Sequence, residues 1–115
     1  MTEARSNVRE RRTSPRRMPR TGVRIALRSG TLGLGPDIAT GLLDVSEDGL
    51  CVQLKSPIAQ GSDAEIILER VGNGRAMKLI GDVRWCVGDG ATGYRAGLRL
   101  RRRLPYKELM DLARN

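Results

Sequence analysis

The chain of 115 residues contains no histidine and no phenylalanine, and only one tryptophan, two tyrosines and two cysteines. Without histidine there is no imidazole to act as general base, so Ser–His and Cys–His nucleophile systems are excluded. Cys51 and Cys86 stand alone in apolar segments, without the close spacing or the histidines of a zinc site, and read as buried, reduced thiols. No Gly-rich turn ends in Lys-Ser or Lys-Thr, so a phosphate-loop pattern is missing too. These absences point away from an enzyme, a metal site and a cofactor. No apolar run is long enough to span a bilayer. The N-terminus is charged throughout and lacks the apolar centre of a secretory signal, and Pro15 and Pro19 oppose an amphipathic targeting helix. The expectation is a cytoplasmic protein with no membrane insertion. With so few aromatics the core has to be built from Val, Ile, Leu, Ala and Met, and the length suits one modest domain.

What the chain does have is positive charge in one place. Its formal net charge is +8, and residues 1–28 hold nine arginines (5, 9, 11, 12, 16, 17, 20, 24 and 28) against Glu3 and Glu10. The remaining 87 residues are nearly neutral, with 12 basic and 11 acidic groups. A nearly neutral domain with a basic arm attracts anions: nucleic acid, acidic lipid or a phosphorylated small molecule. Residues 1–20 have few large apolar side chains and cannot bury enough surface to offset ordering, so they read as a flexible arm on a body spanning residues 21–115.

From Val23 the pattern changes. Val23, Ile25 and Leu27 alternate with Arg24, Ala26 and Arg28, as in a strand with one buried face. Gly30, Gly33, Gly35 and Pro36 mark a loop. Residues 41–45 and 50–54 read as strands two and three, joined by the tight turn Ser46-Glu47-Asp48-Gly49, in which Gly49 is free to take positive φ. Residues 64–71 and 76–87 read as strands four and five around the hairpin turn Gly72-Asn73-Gly74. Met77, Leu79, Gly81, Val83 and Trp85 keep period two along the fifth. After a loop at Gly88-Asp89-Gly90 and Gly93, residues 94–100 form strand six. Pro105 then opens a short helix with Leu109, Met110, Leu112 and Ala113 on its apolar face. Asp37, Asp63 and Asp82 read as loop or solvated-face residues. The fold class is all-β: six short antiparallel strands closed into a small barrel, with a C-terminal helix.

Two motifs carry chemistry. Arg16-Arg17-Met18-Pro19-Arg20 places two guanidinium forks four residues apart, able to grip a phosphate or the O6/N7 edge of guanine, or to stack on a base. Asp44-Val45-Ser46-Glu47-Asp48-Gly49 places a carboxylate and a hydroxyl on a tight turn. Asp44 can accept from the N1 and N2 edge of a guanine, and alternation puts Asp44 and Ser46 on one side if strand geometry persists. The same residues also suit a plain hairpin in which Asp44 and Ser46 bond local amides. Together the motifs fit a ligand that is both a phosphate diester and a purine.

Arg16-x-x-x-Arg20, a strand, and Asp44-x-Ser46-x-x-Gly49 resemble the two signatures of the PilZ domain family. So do the strand Gly97-Leu98-Arg99-Leu100 and the helix after it, and the resemblance covers about residues 12–115. It implies a six-stranded antiparallel barrel that binds cyclic di-GMP. It also implies ligand contacts from Arg16 and Arg20 on the wrapping arm and from Asp44 and Ser46 on the barrel, with Gly49 shaping the turn. Arg12-x-x-x-Arg16 has the same spacing, so the register stays open between the two pairs; the resemblance favours Arg16 and Arg20, because the family's first strand usually starts soon after the second arginine, with Arg12 and Arg17 assisting. The implied function is a non-enzymatic receptor whose arm orders over the barrel and relays the signal to an unidentified downstream protein. The sequence leaves two alternatives: a nucleic-acid-binding basic module, disfavoured by the lack of exposed aromatics for stacking, and a PilZ-like adaptor that does not bind the dinucleotide.

Overall fold

The computed structural model describes residues 15–72 and 75–114. Arg12, Asn73 and Gly74 lie outside these residues. The strands are β1 (Val23–Ser29), β2 (Ala39–Val45), β3 (Gly49–Leu54), β4 (Asp63–Arg70), β5 (Ala76–Gly88) and β6 (Tyr94–Leu100), followed by helix α1 (Tyr106–Leu112). A 3-10 turn, Gly90–Thr92, precedes β6. All neighbours pair antiparallel in the order β1-β4-β5-β6-β3-β2.

The sheet closes on itself, almost, at the seam between its edge strands. There the Ile38 amide donates to the Leu27 carbonyl at 2.9 Å. Asp37 supplies the rest: its Oδ1 accepts from the amides of Leu27 (2.9 Å) and Ala39 (3.0 Å). A residue that reads as loop thus substitutes for a ladder acceptor, because edge-strand N–H groups left without partners are costly. Asp63 and Asp82 lie on strands and face each other in register, a repulsive arrangement in a sheet. Arg101 stands between them, 3.5 Å from Asp63 and 2.8 Å from Asp82.

Period-two alternation sends Leu27, Val45, Val52, Leu54, Ile66, Leu68 and Val83 inward, where they are fully buried. Leu104, Leu109, Leu112 and Ala113 join the same core, so α1 leans on the barrel as a seven-residue helix must. Two departures from simple alternation shape the outer face. A bulge between Val83 and Trp85 shifts the register of β5, so Trp85 lies opposite Gly97 and Cys86 opposite Ala96. The expected inward run through Trp85 is therefore broken at Arg84: Trp85 goes to the outer face and is half-buried, and Cys86 is likewise half-buried rather than buried. A second shift between Leu42 and Asp44 puts Asp44 outward, opposite Cys51.

Candidate ligand-binding site

The end of the basic arm is in contact with the barrel. Arg17 forms a reciprocal backbone pair with Val45, N–H to carbonyl at 2.8 Å and 2.9 Å, on the edge of β2 that β3 leaves open. The next hydrogen-bonding positions of an antiparallel ladder are two residues away on either side. Pro15 and Pro19 occupy them, and proline has no amide hydrogen. Among the described residues the arm makes one bridge on β2 and then turns toward α1: Pro19 bridges Ala113, the Arg20 amide donates to Leu112 (2.8 Å) and the Arg114 amide to Met18 (2.8 Å). Residues 15–20, read from sequence as part of the free arm, are in this way hydrogen-bonded to β2 and to the end of the helix.

This threading brings some of the predicted site residues together and separates others. Arg16 is exposed and close enough to Asp44 for its charge to act on the carboxyl. Burial raises the Asp44 carboxyl above its ordinary value of 3.8, and the Arg16 charge opposes that rise. Arg20 is elsewhere: its Nε donates to the Met110 carbonyl at 3.0 Å, on the last turn of α1. Arg17 is half-buried, and its Nε has no hydrogen-bond partner among the described residues. Ser46 is buried, with its hydroxyl near Asp48 Oδ1 (3.2 Å) and the Gly49 carbonyl (3.3 Å) and its amide on the Gly49 carbonyl (2.9 Å). It closes the turn on itself. Gly49 does not take the positive φ that its place in the turn suggests. It eases a close approach instead, since a Cβ there would lie 3.0 Å from the Leu98 carbonyl.

The raised Asp44 carboxyl has a consequence for stability. The folded chain holds this proton more tightly than the unfolded chain, so stability falls as pH rises from 3.8 through the folded pKa and is level above it. Asp44→Asn removes the half-buried charge. Thermal melts from pH 4 to 7 are expected to show the variant more stable at neutral pH, with its advantage vanishing on acidification as the wild-type carboxyl protonates; a variant less stable at neutral pH would contradict this.

Beyond the two motifs, the register builds a floor. Asp44, Cys51, Gly97 and Trp85 form one row across β2, β3, β6 and β5 on the outer face. The Trp85 indole lies where a side chain on Gly97 would be, so only glycine admits it. Burial, then the Asp44 charge, push the Cys51 thiol up, so the floor under the site is neutral. Arg95 and Arg99, two residues before and after Gly97, share its face and are exposed. Sequence reasoning missed Trp85, because period two sent it inward, and it passed over Arg95 and Arg99. The available signal was Gly97 itself, a glycine inside an apolar strand.

The arrangement offers guanidinium forks around a neutral, partly aromatic floor with one carboxylate acceptor. A separate cleft of about 250 Å³, lined in part by Arg70, Arg75, Glu108 and Asp111 between the β4–β5 hairpin and α1, shares none of these residues. No group of three or more metal-ligating side chains occurs among the described residues, and no helix among them is long and apolar enough to cross a membrane.

Comparison with known proteins adds three findings. The PilZ domain family model matches residues 10–114. No curated protein matches the chain. Among solved structures, the chain is similar to the Bacillus subtilis inhibitor of motility (MotI/DgrA), with a TM-score of 0.60 at 12% identity, over 89% of this chain and 47% of that one. The chain thus spans about half the length of that structure, and at this identity the likeness is one of fold.

Proposed function

The chain belongs to the PilZ domain family, and from that premise we propose that it is a cyclic di-GMP receptor and adaptor without catalytic activity. The observation that carries this reading is the placement of Arg16 near Asp44 through the Arg17–Val45 bridge, over the floor formed with Gly97 and Trp85. In this reading Asp44 accepts from the N1 and N2 edge of one guanine, and Arg16 and Arg20 bind phosphate and guanine, with Arg12 and Arg17 assisting. Ser46 and Gly49 hold the turn that presents Asp44. Trp85 offers a π face for the second base. In this reading the Arg-rich arm closes over the ligand, and Arg20 has to share or give up the Met110 carbonyl to reach it, which carries the signal to α1. In this reading the chain acts in the cytoplasm, on a downstream protein. The likeness in fold to an inhibitor of motility makes motility one candidate output.

Calorimetric titration with cyclic di-GMP tests the proposal, with GMP and a DNA duplex as comparisons. Saturable binding of the cyclic dinucleotide alone is the expected result. Binding of duplex that falls steeply with salt, without preference for cyclic di-GMP, would favour a nucleic-acid module instead. The same titration read by fluorescence has one indole to report, Trp85. Its emission is expected to change on binding, and Trp85→Ala to weaken affinity by about 1–3 kcal/mol, or roughly five- to 150-fold, the range for loss of one base–aromatic stack. An unchanged affinity would remove Trp85 from the site.

A further inference from the structure

The turn that presents Asp44 is fastened to the segment between β6 and α1. The Leu100 amide donates to the Asp48 carbonyl at 2.8 Å, the Leu104 amide donates to the Glu47 carbonyl at 2.7 Å, and the Arg103 guanidinium pairs with the Glu47 carboxylate. Leu104 is buried and pins this segment to the core, yet every other residue from Arg101 to Lys107 is exposed. The result is a run of cations on a fixed backbone. Arg101 is taken up by Asp82 and Asp63. Arg102 has no ion pair among the described residues, and Tyr106 is 67% exposed.

We propose that Arg102, Arg103, Tyr106 and Lys107 form a docking surface for an acidic stretch of a partner protein, with Arg103 shared between that partner and Glu47 of the ligand-site turn. Exposed arginine and tyrosine on a rigid backbone are the residue types that anchor protein interfaces. Guanidinium forks match carboxylates in pairs. Nucleic acid fits less well: a phosphate backbone is held by many cations along a track, and with Arg101 taken up by Asp82 and Asp63 this segment offers three, Arg102, Arg103 and Lys107. A partner carboxylate that engages Arg103 competes with Glu47, three residues from Asp44, so partner and ligand affinities are coupled, and the coupling is reciprocal. That a protein partner exists rests on the adaptor reading above; the surface itself does not depend on which ligand binds at Asp44.

The test is an amide NMR titration of the full chain, without cyclic di-GMP, using octaglutamate as the acidic probe and a DNA duplex in a second arm. Octaglutamate is expected to shift residues 102–107 together with Glu47 and Asp48, and to saturate. The Arg102→Glu, Lys107→Glu double variant is expected to weaken this binding roughly tenfold or more, while a parallel titration finds its cyclic di-GMP affinity within about twofold of wild type. Shifts confined to the N-terminal arm, undiminished binding by the double variant, or stronger engagement of residues 102–107 by the duplex would each overturn the proposal. Because the peptide arm contains no dinucleotide, its failure leaves the ligand reading standing. Failure of cyclic di-GMP to bind wild type likewise leaves this surface standing.

Discussion

Arg16→Ala is expected to bind cyclic di-GMP about 30-fold to several thousandfold more weakly than wild type, corresponding to roughly 2–5 kcal/mol for truncating one side of a desolvated charge-assisted contact. Two effects add in the same direction. The variant loses the guanidinium fork that would hold a phosphate, and Asp44 loses the charge that opposes its raised pKa. The second effect predicts a pH signature: on acidification, affinity falls away at a higher pH in Arg16→Ala than in wild type, because the unsupported carboxyl protonates earlier. Arg16→Lys restores charge without the fork, and is expected to recover the pH profile better than the affinity. Since Arg16 is exposed, its removal leaves the melting temperature nearly unchanged. Calorimetry showing wild-type affinity for both Arg16→Ala and Asp44→Ala would sink the site. Arg20→Ala is the less clean variant, because it also removes the bond from Nε to Met110 and so disturbs the seat of α1.

Much of the barrel is legible in the chain because its signals are local. Alternating apolar residues, Gly-rich turns and the proline before α1 locate six strands and a helix within a few residues of where they lie. The motif residues Asp44, Ser46 and Gly49 are legible as a turn for the same reason. What escaped is set by neighbours distant in sequence. Nothing near Trp85 announces that β5 bulges at Arg84 and delivers the indole onto Gly97 of the next strand. Arg20 looks equivalent to Arg16 in the motif, but its partner is a carbonyl ninety residues away. Asp37 looks like an ordinary loop carboxylate, and only closure of the sheet gives it two amides to bind. The clearest lesson lies in Pro15 and Pro19. They read as helix breakers in a free arm, whereas on the edge of β2 they restrict pairing to Arg17 and so set which arginine meets Asp44.

Gly93→Ala is expected to be strongly destabilising, costing about 3 kcal/mol or more. Gly93 has φ 108° and ψ −117°, a backbone region essentially reserved for glycine. An added Cβ would also overlap the main-chain carbonyl of Leu54 at the end of β3, where no side chain can swing aside. Relief requires moving the corner that the Asp89 amide closes on the Gly93 carbonyl at 2.7 Å. For a domain of this size the loss corresponds to a fall in melting temperature of roughly 10 °C or more. Gly90→Ala is the matched control: it too has positive φ, 61°, but nothing lies within 4 Å of its added carbon, so only about 1 kcal/mol is expected. Equal melting temperatures for the two variants would show that the β3 carbonyl yields. The effect reaches the site because β6 starts at the next residue and carries Arg95, Gly97 and Arg99 on its outer face. A chain released at Gly93 no longer holds Gly97 in register with Cys51 and Trp85. Surviving folded Gly93→Ala protein is therefore expected to bind cyclic di-GMP more weakly than Gly90→Ala.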